Sequence, residues 1–268
     1  SAAGSTALED QSRALARASA SVLGVKSVVV DRARSAATLG DEREGSGILI
    51  GADGTVLTIG YLILEAQTVT LVDDSGLEWP ARVVAYDVAT GLGLVRALAP
   101  MRLQPAPLGR SATLVDTEAL VVVSGGTEGA VSAARLMGRR PFSGSWEYHL
   151  EEALYTAPAR RDHSGAGLFN PRGELVGVGS LVVGDVGGVP GRRLPGNLFV
   201  PIDLLHPVLD ELQAHGRSTA SRRAWLGMNC VETPLGLRVE RVAEDSPADV
   251  AGVQPGCPRP PAPPAGPR

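Results

Sequence analysis

Residues 159–177 read ARRDHSGAGLFNPRGELVG, which sets Ser164 between small-residue turns with a strand directly after it. A serine hydroxyl is a weak nucleophile at neutral pH. It attacks only with a base in hydrogen-bond reach, a group that orients the base, and donors for the developing oxyanion. His163 adjoins Ser164, but adjacent side chains diverge, so a direct contact needs a special turn. His149 lies in an alternating strand pattern, while His206 and His215 flank the last predicted helix. All three read as ordinary structure. Lys26, the only lysine, sits on what reads as the first strand, which argues against a serine–lysine dyad. No His/Cys/Asp cluster has the spacing of zinc ligands, so no metal and no other cofactor is expected. The plain alternative is that Ser164, with Gly165 and Gly167 beside it, only holds the strand that begins at Leu168.

The elements that must position Ser164 are legible as punctuation. Aromatic residues are 4% of the 268 residues and hydrophobic residues 44%, so the core must be Val, Leu, Ile and Ala, and the Val-rich runs read as strands. Residues 5–20 read as a helix with acids early and arginines late, within an N-terminal helical segment at 1–21. From Val22 short apolar runs alternate with turns: ADG between ILI and VLT, and DDSG between TVTLV and LEWPARVV, are hairpin signals. A Pro-rich connector at 99–111 separates this set of strands, about 22–105, from a second at about 112–202. Two such sets suggest two barrels or sandwiches packed together. A helix is expected at 203–214, with Asp203 as its N-cap and Gly216 as its stop. A linker at 217–224 leads to a further module at 225–256, and residues 257–268 form a Pro-rich tail expected to be disordered.

Net charge is −4 and the arginine pairs are scattered, which argues against a nucleic-acid surface. No apolar run approaches the roughly 18 residues of a membrane span, and the first residues do not read as a leader. Cys230 and Cys257 leave room for one late disulfide but for no redox or zinc motif.

Seven stretches, GSGILIGADGTVLT, PARVVAYDVATGLGLV, PLGRS, GAVSAARLMG, SGAGLFNPRGELVGV, FVPIDLLHPVLDEL and RRAWLGM, together resemble the HtrA family of trypsin-like serine proteases, in order and spacing, over about residues 22–227. The resemblance implies an all-β chymotrypsin-type double β-barrel with the active-site cleft between the barrels and a C-terminal helix. It also implies that 225–256 opens a PDZ-like segment, truncated where the pattern stops at Gly256. In the family, a strand ending in Leu-Thr leads to the catalytic histidine; here that turn is LTIGYLILEA and the position is Tyr61. The family's orienting aspartate falls on Gly91, in the stretch Asp87-Val88-Ala89-Thr90-Gly91-Leu92. The family's Gly-Asn-Ser-Gly-Gly becomes Asp162-His163-Ser164-Gly165-Ala166, so the oxyanion region carries a carboxylate at Asp162 where a glycine N–H is usual.

An unperturbed phenol, with a pKa of about 10, is only about one part in a thousand ionised at pH 7, so Tyr61 is a poor base. Loss of triad members costs about four to six decades of rate, ~5–8 kcal/mol of transition-state stabilisation. Two functions follow. One is a pseudoprotease that binds polypeptide segments or a protein partner without cutting. The other is a serine endopeptidase or hydrolase using Ser164 with a non-standard base, His163 or Tyr61. The resemblance further implies the bacterial periplasm or cell envelope and admits a trimer, although no trimer contact is legible in the chain.

Overall fold

The computed structural model describes residues 2–144, 148–187, 191–219, 226–234 and 236–256. The expectations for the tail at 257–268, for Cys257 and for most of the 217–224 linker lie outside the described residues. The chain divides into two compact units, 1–221 and 222–268.

The first unit holds two six-stranded closed barrels. Strands β1 (Val22–Val29), β2 (Glu42–Leu49), β3 (Thr55–Ile59), β4 (Ala66–Val72), β5 (Glu78–Tyr86) and β6 (Leu92–Ala97) close in the order β1-β2-β3-β6-β5-β4. Strands β7 (Ala119–Val123), β8 (Val131–Gly144), β9 (Tyr148–Ala157), β10 (Gly167–Phe169), β11 (Leu175–Val183) and β12 (Gly196–Pro201) close as β10-β11-β12-β9-β8-β7. Within each barrel neighbouring strands pair antiparallel, and closure leaves no long unpaired edge among the described residues. The two predicted hairpins are present, each with a capping carboxylate. Asp53 Oδ1 accepts from the Thr55 N–H between β2 and β3, and Asp73 Oδ1 accepts from the Ser75 and Leu77 N–H groups between β4 and β5. The interior is aliphatic, with Leu23, Ile48, Leu57, Leu71 and Leu94 fully buried; among the described residues the fully buried large aromatics are Phe169 and Phe199. Truncating one of these leucines, Leu57→Ala for example, is expected to cost about 2–5 kcal/mol.

Three local expectations change. The first helix (α1) runs Ala2–Ala20, so Glu9 and Asp10 fall near its middle and only Arg17 lies in a terminal turn of matching sign. The helix expected over 203–214 is a 3-10 turn at Ile202–Leu204 followed by a short α-helix at Leu209–His215. Pro207 has no N–H to give to the ladder, so the two pieces cannot merge. Asp203 caps another element: its carboxylate oxygens accept from the Ser111 and Ala112 N–H groups, both at 2.9 Å, opening the 3-10 turn at Ser111–Thr113. Arg139 closes that turn by donating to the Ser111 and Leu114 carbonyls. Gly216, in the left-handed region at φ 73°, does end the helix.

The second unit holds an antiparallel hairpin of β13 (Met228–Thr233) and β14 (Gly236–Val242) and one helical turn at Pro247–Val250, whose N–H of Asp249 is capped by Ser246. Its buried core is Val239, Ala248 and Val253, with Met228 and Val242 packed on it. A hairpin with so small a core is marginal by itself. Cys230 is exposed and has no disulfide partner among the described residues.

Candidate functional site

Ser164 lies in the turn between β9 and β10, and the first barrel holds that turn from across the seam. The Ser46 N–H of β2 donates to the Ser164 carbonyl at 2.8 Å, and the next N–H, of Gly165, donates to Gly179 of β11 at 2.9 Å. Gly165 is at φ 72°, and a Cβ there would lie 1.9 Å from the Ser46 carbonyl oxygen. Only glycine fits both the backbone angle and the approach. Ser164 is thus locked between the barrels by backbone geometry.

Tyr61 reaches it from the other wall. The residue sits in a 3-10 turn at Gly60–Leu62, directly after β3, and the turn is fastened by buried groups. Arg43 of β2 donates to the Tyr61 and Leu64 carbonyls at 2.9 and 2.8 Å, and Ser27 donates to the Leu62 carbonyl. Ser35 bonds the same guanidinium and is itself held by Glu65. Burial pushes Arg43 down from its ordinary value, with Glu65 and Asp41 opposing, and Glu65 is held below the usual carboxylate range by Ser35 against the cost of its own burial.

The Tyr61 hydroxyl lies 2.5 Å from Ser164 Oγ and 2.7 Å from the Ser180 carbonyl oxygen. Proton accounting orients this trio. A carbonyl can only accept, so the phenolic proton points to Ser180, and the Ser164 hydroxyl donates to Tyr61 Oη. Ser180 falls where the β11–β12 register shifts between Gly179 and Leu181, so the carbonyl that meets Tyr61 sits on a bulge.

Gly91 contributes only backbone, at φ 78°: its N–H donates to the Asp87 carbonyl and its carbonyl accepts from Gly60 at 2.6 Å. Asp87 is fully buried and does not aim at Ser164. Its oxygens accept from Thr90 Oγ1 and Ser218 Oγ, each at 2.6 Å.

Asp162 carries the charge that the sequence places beside Ser164, and the structure pairs it. Arg160, whose side chain is 11% exposed, is salt-bridged to it, and Ser124 Oγ donates to it at 2.5 Å. The Arg160 hydrogen bonds come first in holding this carboxyl below its usual range, Ser124 adds to them, and the residue's own N–H also contributes. Arg160 further donates to the Val122 carbonyl and Ser132 Oγ, each at 2.8 Å. Sequence reasoning missed Arg160; the only available signal was an arginine two residues before an unexpected aspartate. His163 turns to its own loop, with Nδ1 at 2.9 Å from the Arg161 carbonyl and 3.2 Å from that of Arg160. Nδ1 therefore carries a proton, and burial pushes the ring's pKa down, with the Arg161 and Arg160 carbonyls, the Asp162 charge and the Ser180 backbone opposing.

The other candidates stand apart. His149 bonds Ser143 on the β8–β9 hairpin, His206 bonds the Gly109 carbonyl, His215 ends the last helix of the first unit, and Lys26 is an exposed partner of Glu44. Among the described residues no three His, Cys, Asp or Glu side chains come together as a metal site, and no helix is long and apolar enough to cross a membrane.

Residues 45–178, half of the chain, match the trypsin-like peptidase domain family. A "Probable periplasmic serine endoprotease DegP-like" of Ectopseudomonas mendocina is 31% identical over 233 residues, covering 79% of this chain and 46% of that relative. One of the same description from Pseudomonas fluorescens is 30% identical over 247 residues, covering 84% and 48%. The chain thus spans about half the length of the curated relatives it matches. Among solved structures, "HtrA-type protease AlgW with tripeptide" superposes with a TM-score of 0.64 at 23% identity, covering 92% of this chain and 80% of that one. The decapeptide form of AlgW gives 0.61 at 22% identity, covering 92% and 83%. These structures share the fold.

Proposed function

Because the chain belongs to the trypsin-like peptidase family, with HtrA- and DegP-type serine endoproteases as its relatives, we propose that it uses that scaffold without hydrolysis, to hold extended polypeptide or a protein partner. The observation that carries this reading is the Tyr61 hydroxyl, which stands 2.5 Å from Ser164 Oγ with its proton directed at the Ser180 carbonyl. To act as base, Tyr61 would first have to ionise, setting a phenolate 2.7 Å from a carbonyl oxygen. Gly91 has no side chain with which to orient a base. Asp162 stands where the family pattern has a glycine, and its carboxylate, held by Arg160 and Ser124, puts a negative charge beside the position where an oxyanion would develop. The reading with His163 as base needs its Nε2 to reach Ser164 Oγ, whereas the ring's hydrogen bonds run from Nδ1 to the Arg160 and Arg161 carbonyls and Ser164 Oγ meets Tyr61.

Polypeptide is the favoured occupant because main-chain hydrogen bonds to a strand need no triad. The AlgW structures with tripeptide and decapeptide support this class of ligand for the same fold. On this reading residues 225–256 are the opening part of a PDZ-like module, and the protein works in the periplasm or cell envelope, as the names of its relatives suggest. Fluorophosphonate labelling and casein digestion test the proposal, together with titration of denatured polypeptide. No Ser164 adduct, intact casein and reversible micromolar binding are expected. Rapid labelling that disappears in Ser164→Ala would overturn it.

A further inference from the structure

The segment by which the chain leaves the first unit is hydrogen-bonded into the loop that backs Tyr61. After the helix at Leu209–His215, the Gly216 carbonyl accepts from the Tyr86 N–H at 3.3 Å, and Ser218, 1% exposed, donates to Asp87 Oδ1 at 2.6 Å. Asp87 is 0% exposed and closes the turn at 87–91 from inside. Its second oxygen accepts from Thr90 and its carbonyl accepts from Gly91. The Gly91 carbonyl then takes the Gly60 N–H at 2.6 Å, one residue before Tyr61. This last contact is close-packed: a Cβ on Gly60 would lie 2.0 Å from the Tyr86 ring and 2.8 Å from the Gly91 carbonyl oxygen. Neither side can shift without moving the other.

We infer that Ser218 and Asp87 are positioning residues for Tyr61, forming a latch through which the exit segment of the first unit keeps the phenol on Ser164. The inference rests on the reading that Tyr61 closes off Ser164. A buried carboxylate that loses a donor draws its turn toward water, because an under-bonded charge in the interior is costly. That movement carries the Gly91 carbonyl away from Gly60 and frees the Tyr61 turn on its N-terminal side, while Arg43 still holds the C-terminal side. The latch thus makes exposure of the Tyr61 hydroxyl depend on a residue that contacts neither Tyr61 nor Ser164.

The test is nitration of the full chain by tetranitromethane, with each tyrosine followed by peptide mass mapping. Tyr155, 6% exposed in the second barrel, serves as the internal reference. Ser218→Ala is expected to nitrate Tyr61 at least about tenfold faster than the unmodified chain, because losing one hydrogen bond to a charged group shifts the balance by at least that factor. Ser218→Thr, which keeps the hydroxyl, should nitrate Tyr61 at the unmodified rate, and Tyr155 should be unchanged in both. An unmodified Tyr61 rate in Ser218→Ala overturns the latch. So does a parallel rise at Tyr61 and Tyr155, which would mean general loosening. Polypeptide titration of the unmodified chain reports on the proposed function separately, because it does not involve Ser218 substitution.

Discussion

The proton arrangement at Ser164 predicts unequal costs for removing its two hydroxyls. Tyr61→Phe deletes the donor to Ser180 and the acceptor of Ser164, two hydrogen bonds, whereas Ser164→Ala deletes one and leaves Tyr61 bonded to Ser180. At a net 0.5–1.5 kcal/mol per bond, the expected losses are about 2 kcal/mol for Tyr61→Phe and about 1 kcal/mol for Ser164→Ala. The double variant should cost no more than Tyr61→Phe alone, since the shared bond can be lost only once. A double-mutant cycle by urea unfolding therefore reads a coupling of about 1 kcal/mol. The slope against urea should stay constant across the four proteins, so that midpoints report stability alone. Additivity within about 0.3–0.5 kcal/mol would mean that the hydroxyls do not bond, and the argument that Ser164's proton is committed to a phenol would fail. A Tyr61→Phe loss no larger than that of Ser164→Ala would refute the assignment of the phenolic proton to Ser180.

Three other outcomes follow from the same geometry. Asp162 has a folded pKa below its unfolded value, so its contribution is present above pH ~4 and is lost as pH falls through the folded value; Asp162→Asn should flatten the acid limb of stability against pH in that window. His163 is also pushed down, which for a base means that the unfolded chain binds its proton first; stability should fall as pH drops below about 6.5, and His163→Gln should remove that slope in the same unfolding assay. Installing Tyr61→His with Gly91→Asp is expected to restore little hydrolysis of casein, partly because residue 91 sits at φ 78°, where a side chain costs about 1–3 kcal/mol. Adding Asp162→Gly should raise hydrolysis further only if Arg160, then a buried cation without its carboxylate, is replaced as well; more activity with Arg160 intact would show that the pair does not constrain the loop.

The features legible in the sequence were those set by neighbouring residues. Hairpins at ADG and DDSG could be read because an Asp or Gly at a fixed offset satisfies its own turn, as Asp53 and Asp73 do. Strand alternation and the Pro-rich break at 99–111 mark out two sets of strands, but alternation does not distinguish closed barrels from stacked sheets. Pro207 is visible, yet the helical spacing of Leu204, Leu205, Val208, Leu209 and Leu212 outweighs it, so the expected helix begins six residues before the observed one. Asp203 sat where an N-cap belongs, but its oxygens went to N–H groups 91 and 92 residues away. A one-dimensional pattern carries no signal for that partner.

The same limit governs the site. Which residues lie near Ser164 could be placed by resemblance, but what they do depends on partners that spacing does not encode. Asp162, read alone, is a negative charge beside a nucleophile; with Arg160 and Ser124 it is the anchor of a loop. Tyr61, read alone, is a weak base; with Ser180 it is a phenol whose proton is already assigned. In both cases a second polar group, 2 residues away in one and 119 in the other, reverses the chemical meaning of the first. A buried hydroxyl or carboxylate has a role only once its donors and acceptors have been counted, because an unmatched group in the interior is the costly state and the fold is arranged to avoid it. That count makes Ser164 a committed donor in the unliganded chain, so any ligand that needs its proton must first displace Tyr61.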